Sequence, residues 1–194
     1  AISFLTLIPC RIRSEISPKD ISNSRAYYPL VGLTIGIVLL LIEQACSNIF
    51  PTLITAALLT GTLAIITRGL HLDGLMDISD GLFGAYKSQD RLNIMKDPHV
   101  GSFAVVSAIL ILLLKYTALL SILNLNLQGS ELAIILVPCI SRWSMVLQLN
   151  VFPYIRENGL GSSFRDNSSR FASIFALLTV SLICLSLGGP AGAI

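Results

Sequence analysis

Long apolar runs alternate with short polar segments along the chain. Five runs approach the about 20 residues that a spanning helix needs; they are 29–46, 52–67, 101–123, 132–149 and 171–187. None shows the period-two alternation of a half-buried strand, and no heptad repeat is sustained. The expected fold is therefore all-α, a polytopic integral membrane bundle of about five spanning helices in a single domain over 1–194. The second run is short and continues into a more polar stretch, 70–86. That stretch cannot face lipid, because an aspartate costs about 2.5–3.5 kcal/mol at the bilayer centre. It is expected as an interfacial or re-entrant Asp-rich helix. Gly32 and Gly36 form a small-xxx-small pair, and with Gly61 they let helix backbones approach closely.

Composition agrees with the pattern. The chain has 194 residues, 54% hydrophobic and 12% charged, with a mean hydropathy of +0.78. Soluble domains carry about 25% charged residues. A formal charge of +2 is too small to imply nucleic-acid binding. Cys10, Cys46, Cys139 and Cys184 are scattered, with no paired spacing, and read as buried, reduced thiols. The opening AISFLTLIP lacks a basic leader and a cleavage site, so it is expected in the interface or in a buried helix rather than as a signal peptide. The missing initial Met and the ending GGPAGAI suggest a chain trimmed at both ends.

Basic residues alternate with the runs. Arg11, Arg13, Lys19 and Arg25 precede the first; Arg68, Lys87, Arg91 and Lys96 fall between the second and third; Arg156, Arg165 and Arg170 fall between the fourth and fifth. The connections 47–51 and 124–131 have no Lys or Arg. By the positive-inside rule the basic segments are cytoplasmic, and the Asp-rich stretch lies on that side. Lys115 and Arg142 fall near the middle of runs. Lys115 reads as snorkelling or ion-paired, and Arg142 as facing a polar cavity.

The chemistry concentrates in LHLDGLMDISDGL, 70–82. On a helix Asp73, Asp77 and Asp80 are i, i+4 and i+7, within an arc of about 60°. Three like charges on one stripe repel, and a divalent cation resolves this. Mg²⁺ takes hard oxygen ligands and completes its shell with waters and substrate phosphates. Gly84 on the same stripe is expected to leave room for a ligand, and Gly74 and Gly81 to keep the surroundings small. A solvated helix face and a cation-transport site are the competing readings. On the same side, RLNIMKDPHVG (91–101) offers Arg91, Lys96, Asp97 and His99, whose basic groups suit a diphosphate or anionic lipid. YIRENGLGSSF (154–164) offers Arg156 and a glycine-rich turn for phosphate. His71 lies opposite the stripe and reads as supporting; His99 is uninformative alone.

Together these segments resemble the cobalamin synthase, or adenosylcobinamide-GDP ribazoletransferase, family. The resemblance rests on FLTLIP (4–9), YYPLVGLTIG (27–36), LHLDGLMDISDGL (70–82), RLNIMKDPHVGSF (91–103), SRW (141–143) and YIRENGLG (154–161). It implies a membrane-bound transferase of the prokaryotic inner membrane, acting late in cobalamin biosynthesis. Such an enzyme joins adenosylcobinamide-GDP to α-ribazole or its 5′-phosphate, releases GMP and requires Mg²⁺. Asp73, Asp77 and Asp80 would then hold the metal, and Lys96 and Asp97 match the family's MKD segment; from the residues themselves, Asp80 is the choice for the base, and Lys96, Asp97, Arg142, Arg91, Arg156 and His71 are the candidates for substrate contact. The family is expected to continue past residue 194 with a further acidic segment and helix, and Arg68 stands where a small residue is expected. A CDP-alcohol phosphotransferase is the nearest alternative, but its D-G-x-x-A-R start fails at Asp77 and Ile78. A secondary transporter is the other, and there is no second copy of the Asp-rich break.

Overall fold

The computed structural model describes residues 1–10, 17–124, 130–152 and 170–188, and all their regular structure is helical. In chain order the helices are α1 (Ile2–Leu5), α2 (Pro18–Ser24), a 3-10 turn (Arg25–Tyr27), α3 (Tyr28–Ser47), α4 (Thr52–Ile66), α5 (Leu70–Gly84), α6 (Ser88–Ile94), α7 (Ser102–Asn124), α8 (Ser130–Val151) and α9 (Arg170–Gly188). They fall into two compact units, Ala1–Ala45 with Leu127–Ile194, and Cys46–Asn126.

In the first unit, local chemistry starts α2. Ser17 Oγ accepts the Asp20 N–H at 3.2 Å, Asp20 Oδ2 accepts the Ser17 N–H at 3.0 Å, and Pro18 supplies a preset φ. Tyr28, Val31, Gly32, Ile35, Gly36 and Leu39 make the buried face of α3 at helical spacing. That face meets α8 through its glycines. A Cβ on Gly36 would lie 2.7 Å from the Ile135 Cα, and one on Gly32 would overlap the Pro138 carbonyl oxygen. The two backbones touch, as the small-xxx-small spacing predicts. Cys139 on α8 and Val180 and Ile183 on α9 form a buried cluster with Leu33 and Trp143 against it. Leu5 and Thr6, at the end of α1, are fully buried. All four cysteines are free. Only Cys139 has the expected burial: Cys46 and Cys184 are half-buried, and Cys10 is exposed, because it lies beyond α1 rather than in a packed helix.

In the second unit, α7 packs against α4 and α5, and α6 packs against α5. Among the described residues four helices, α3, α7, α8 and α9, are long and apolar enough to cross a membrane. Among these residues α4 and α5 make a fifth span if they count as one, and they bend by 83°. The bend has a local cause. The Gly69 N–H donates to the Ala64 carbonyl at 2.9 Å and the Arg68 N–H to the Ile65 carbonyl at 2.9 Å, which is the Schellman termination of a helix. Both residues are left-handed, Arg68 at φ 54° and Gly69 at φ 67°. Large side chains such as Leu41, Ile65, Leu114 and Leu182 stay exposed, as a surface solvated by lipid tails requires. The chain is a membrane protein.

Candidate active site

The site is built in the second unit on α5. Asp73 sits in its first turn, where the helix dipole favours a carboxylate. Ser79 and Gly81 are buried, so the acidic stripe turns outward: Asp73 is exposed, and Asp77 and Asp80 are half-buried. The 88–101 segment folds back onto this helix. Gly81 makes that possible, since a Cβ there would lie 2.6 Å from Met95 Cγ. Arg91 Nε donates to the Ala85 carbonyl at 2.9 Å and closes the end of α5.

A cleft of about 240 Å³ results. Asp73, Asp77 and Asp80 form one wall, Lys96, Asp97 and His99 another, and Met76, Met95, Pro98, Val100 and Ala104 complete it. The Asp stripe and the MKD segment, separate in sequence, thus share one polar cleft. His71 and Arg91 do not line it. Gly84 does not open it either: a Cβ there would touch Ile94 Cδ1 at 3.4 Å, so this glycine faces α6.

Asp80 and Asp97 are engaged by hydrogen bonds in this region. Asp80 Oδ2 accepts the Gly101 N–H at 2.7 Å, and Asp80 Oδ1 accepts the Ala104 N–H at 2.8 Å. Asp97 Oδ1 accepts the His99 N–H at 3.0 Å and lies 2.5 Å from His99 Nδ1. The His99 backbone N–H first, and its ring second, hold the Asp97 carboxyl below the usual carboxylate range. Sequence reasoning left His99 aside, and the DPH spacing, which lets a carboxylate reach back two residues, was the available signal.

Among the described residues no three His, Cys, Asp or Glu side chains converge closely enough to hold a metal ion. The donor set still suits Mg²⁺, which commonly takes one or two carboxylates and draws its other ligands from water and phosphate. Asp73 and Asp77, one turn apart on the cleft wall, supply two such groups.

Arg142 belongs to the first unit and lies on the buried face of α8, 6% exposed. Its Nη1 donates to Ser141 Oγ at 3.4 Å, and its Nε has no hydrogen-bond partner among the described residues. Arg25 is a second buried arginine, fully enclosed just before α3. The sequence reading counted it only among the basic residues ahead of the first run. Arg156 and its glycine-rich turn lie outside the described residues.

An adenosylcobinamide-GDP ribazoletransferase of Desulfitobacterium hafniense (strain Y51) is 39% identical over 175 residues, 90% of this chain and 69% of the relative. The enzyme of that name from Pseudomonas fluorescens (strain Pf-5) is 38% identical over 193 residues, 99% of this chain and 78% of its own. That of Syntrophobacter fumaroxidans is 38% identical over 180 residues, covering 91% and 71%. No solved structure matches the chain closely enough for comparison. The family profile described as cobalamin-5-phosphate synthase matches residues 1–194, and the chain belongs to that family.

Proposed function

We infer that the chain is an adenosylcobinamide-GDP ribazoletransferase of cobalamin biosynthesis. The match to the family over residues 1–194 carries this reading. The finer proposal is that the α5 cleft is its active site. Asp73 and Asp77 hold Mg²⁺, and Lys96 meets the diphosphate that joins cobinamide to the guanosine. When bound, the metal supplies charge neutralisation of the diphosphate and of the departing GMP. The protein's own groups then have limited tasks. The ammonium of Lys96 holds the leaving phosphate. Asp97 orients the His99 ring through Nδ1, which leaves Nε2 to accept the proton of the attacking α-ribazole hydroxyl. The phosphorus–oxygen bond to α-ribazole forms as the bond to GMP breaks. Met76, Met95 and Val100 line the same cleft and give it an apolar margin. The positive-inside distribution supports a cytoplasmic site. Arg142, buried in the other unit, is kept as a candidate for substrate charge on chemistry alone.

The test is GMP release by the reconstituted protein from adenosylcobinamide-GDP and α-ribazole, with and without Mg²⁺. Asp73→Asn and Asp77→Asn should each lower Mg²⁺ affinity or turnover by about 10–100-fold. Full Mg²⁺-dependent release in both variants would overturn the metal assignment. Absence of release from this chain and also from a chain extended past residue 194, in lipid where a relative works, would overturn the activity.

A further inference from the structure

We propose that Asp80 is a positioning residue that pins the 95–101 segment over the acidic stripe, rather than a metal ligand or proton acceptor. Three observations meet at this residue, and all lie within one unit. First, both of its carboxylate oxygens are engaged, by the Gly101 N–H at 2.7 Å and the Ala104 N–H at 2.8 Å. These amides are at the N-terminus of α7, where four N–H groups lack helical partners and the dipole favours a negative charge. Charge-assisted bonds of this kind are short and strong. Asp80 therefore caps a helix 21 and 24 residues further along the chain.

Second, Gly101 has no room for a side chain. A Cβ there would lie 2.5 Å from Asp80 Oδ1 and 2.7 Å from its Cγ. The carboxylate fills the space that any other residue at 101 would need. Third, Phe83, one turn beyond Asp80 on α5, packs on Phe103 of α7 with ring centroids 5.5 Å apart. The α5–α7 contact is thus fixed at two adjoining points, one polar and one aromatic. The segment ending at Gly101 carries Lys96, Asp97 and His99. Its far end is held by Met95 against Gly81, and its near end by Asp80. Three identical aspartates on one stripe thus divide their work: Asp73 and Asp77 serve the ligand, and Asp80 serves the wall facing them. The ligand role of Asp73 and Asp77 rests on the activity proposed above; the clamp at Asp80 does not.

The test combines amide hydrogen exchange on the full chain in detergent with GMP release. Asp80→Asn keeps the shape but turns an NH₂ toward one of the two backbone donors. It should speed exchange at residues 101–105 by about tenfold or more, the cost of losing a bond to a charged acceptor. Asp73→Asn should leave exchange there unchanged. Asp80→Asn should also lower kcat for GMP release while moving the half-saturating Mg²⁺ concentration less than about twofold, unlike Asp73→Asn and Asp77→Asn. Gly101→Ala should reproduce both effects, and the double variant should be no worse than the worse single one, because both changes break one contact. Unchanged exchange in Asp80→Asn overturns the clamp, whatever the activity does. Faster exchange with full turnover overturns its functional role, and a tenfold shift in Mg²⁺ dependence makes Asp80 a ligand instead. No GMP release from this chain or from one extended past residue 194 would overturn the transferase reading, and exchange alone would then decide the clamp.

Discussion

Arg68 adopts a backbone conformation that suits glycine. It occupies the left-handed position of the Schellman turn ending α4, at φ 54°, and its side chain is exposed. An L-residue with a Cβ pays about 1–2 kcal/mol there. Arg68→Gly should therefore stabilise the protein by about 1 kcal/mol. Arg68→Ala should not, and equal melting temperatures for the two variants in detergent would contradict the account. The small residue expected at this position has its physical reason in that turn. Asp97 gives a pH prediction. Its carboxyl is held below the usual range by the His99 backbone N–H and ring, so this contact contributes fully above the ordinary carboxylate pKa of about 3.9 and is lost as pH falls through the lowered value. In His99→Ala the ring's share disappears, and carbon NMR of the Asp97 carboxyl should show it titrating at higher pH. The acidic stripe itself was legible, because i, i+4 and i+7 are readable from sequence. The engagement of Asp80 was not: its partners are backbone amides, which leave no mark on residue identity.

At the scale of elements, the glycines separate into those that touch something and those that do not. A Cβ at Gly36 would meet the Ile135 backbone at 2.7 Å, whereas one at Gly61 would meet nothing within 4 Å. Gly36→Ala should thus push α3 from α8 and cost about 1–3 kcal/mol. Gly61→Ala, in the interior of α4, should be neutral or stabilise by up to about 1 kcal/mol. Thermal unfolding of the two variants side by side checks this, and equal effects would mean that the close approach does not govern packing. Sequence spacing picked out Gly32 and Gly36 correctly as a contact pair. It could not tell that Gly81 and Gly84 serve α6 instead of a ligand, because one helix face looks the same whether a side chain or a substrate covers it. The α4–α5 break was readable as a change from apolar to polar, but its angle was not, since that depends on two dihedrals.

Over the whole molecule, membrane character was readable from composition alone, and the spans nearly so. The exception is α4, whose 15 residues extend only about 22 Å against a hydrocarbon thickness of about 30 Å. α7, with 23 residues, reaches about 34 Å. Helices of such unequal length sit best where the bilayer is thin beside α4, and mismatch costs fractions of a kcal/mol per Å. GMP release in proteoliposomes should accordingly fall several-fold as acyl chains are lengthened at constant headgroup. A flat response would show that α5 continues the span despite its bend. The contact between Asp80 and the start of α7 also orders events during synthesis. The two amides leave the ribosome 21 and 24 residues after the aspartate, about 1–5 s later at ordinary elongation rates. Through that interval the Asp80 carboxylate lacks both of its amide partners. The arrival of α7 ends the wait, so the acidic helix is seated from behind by a segment that did not exist when it was made.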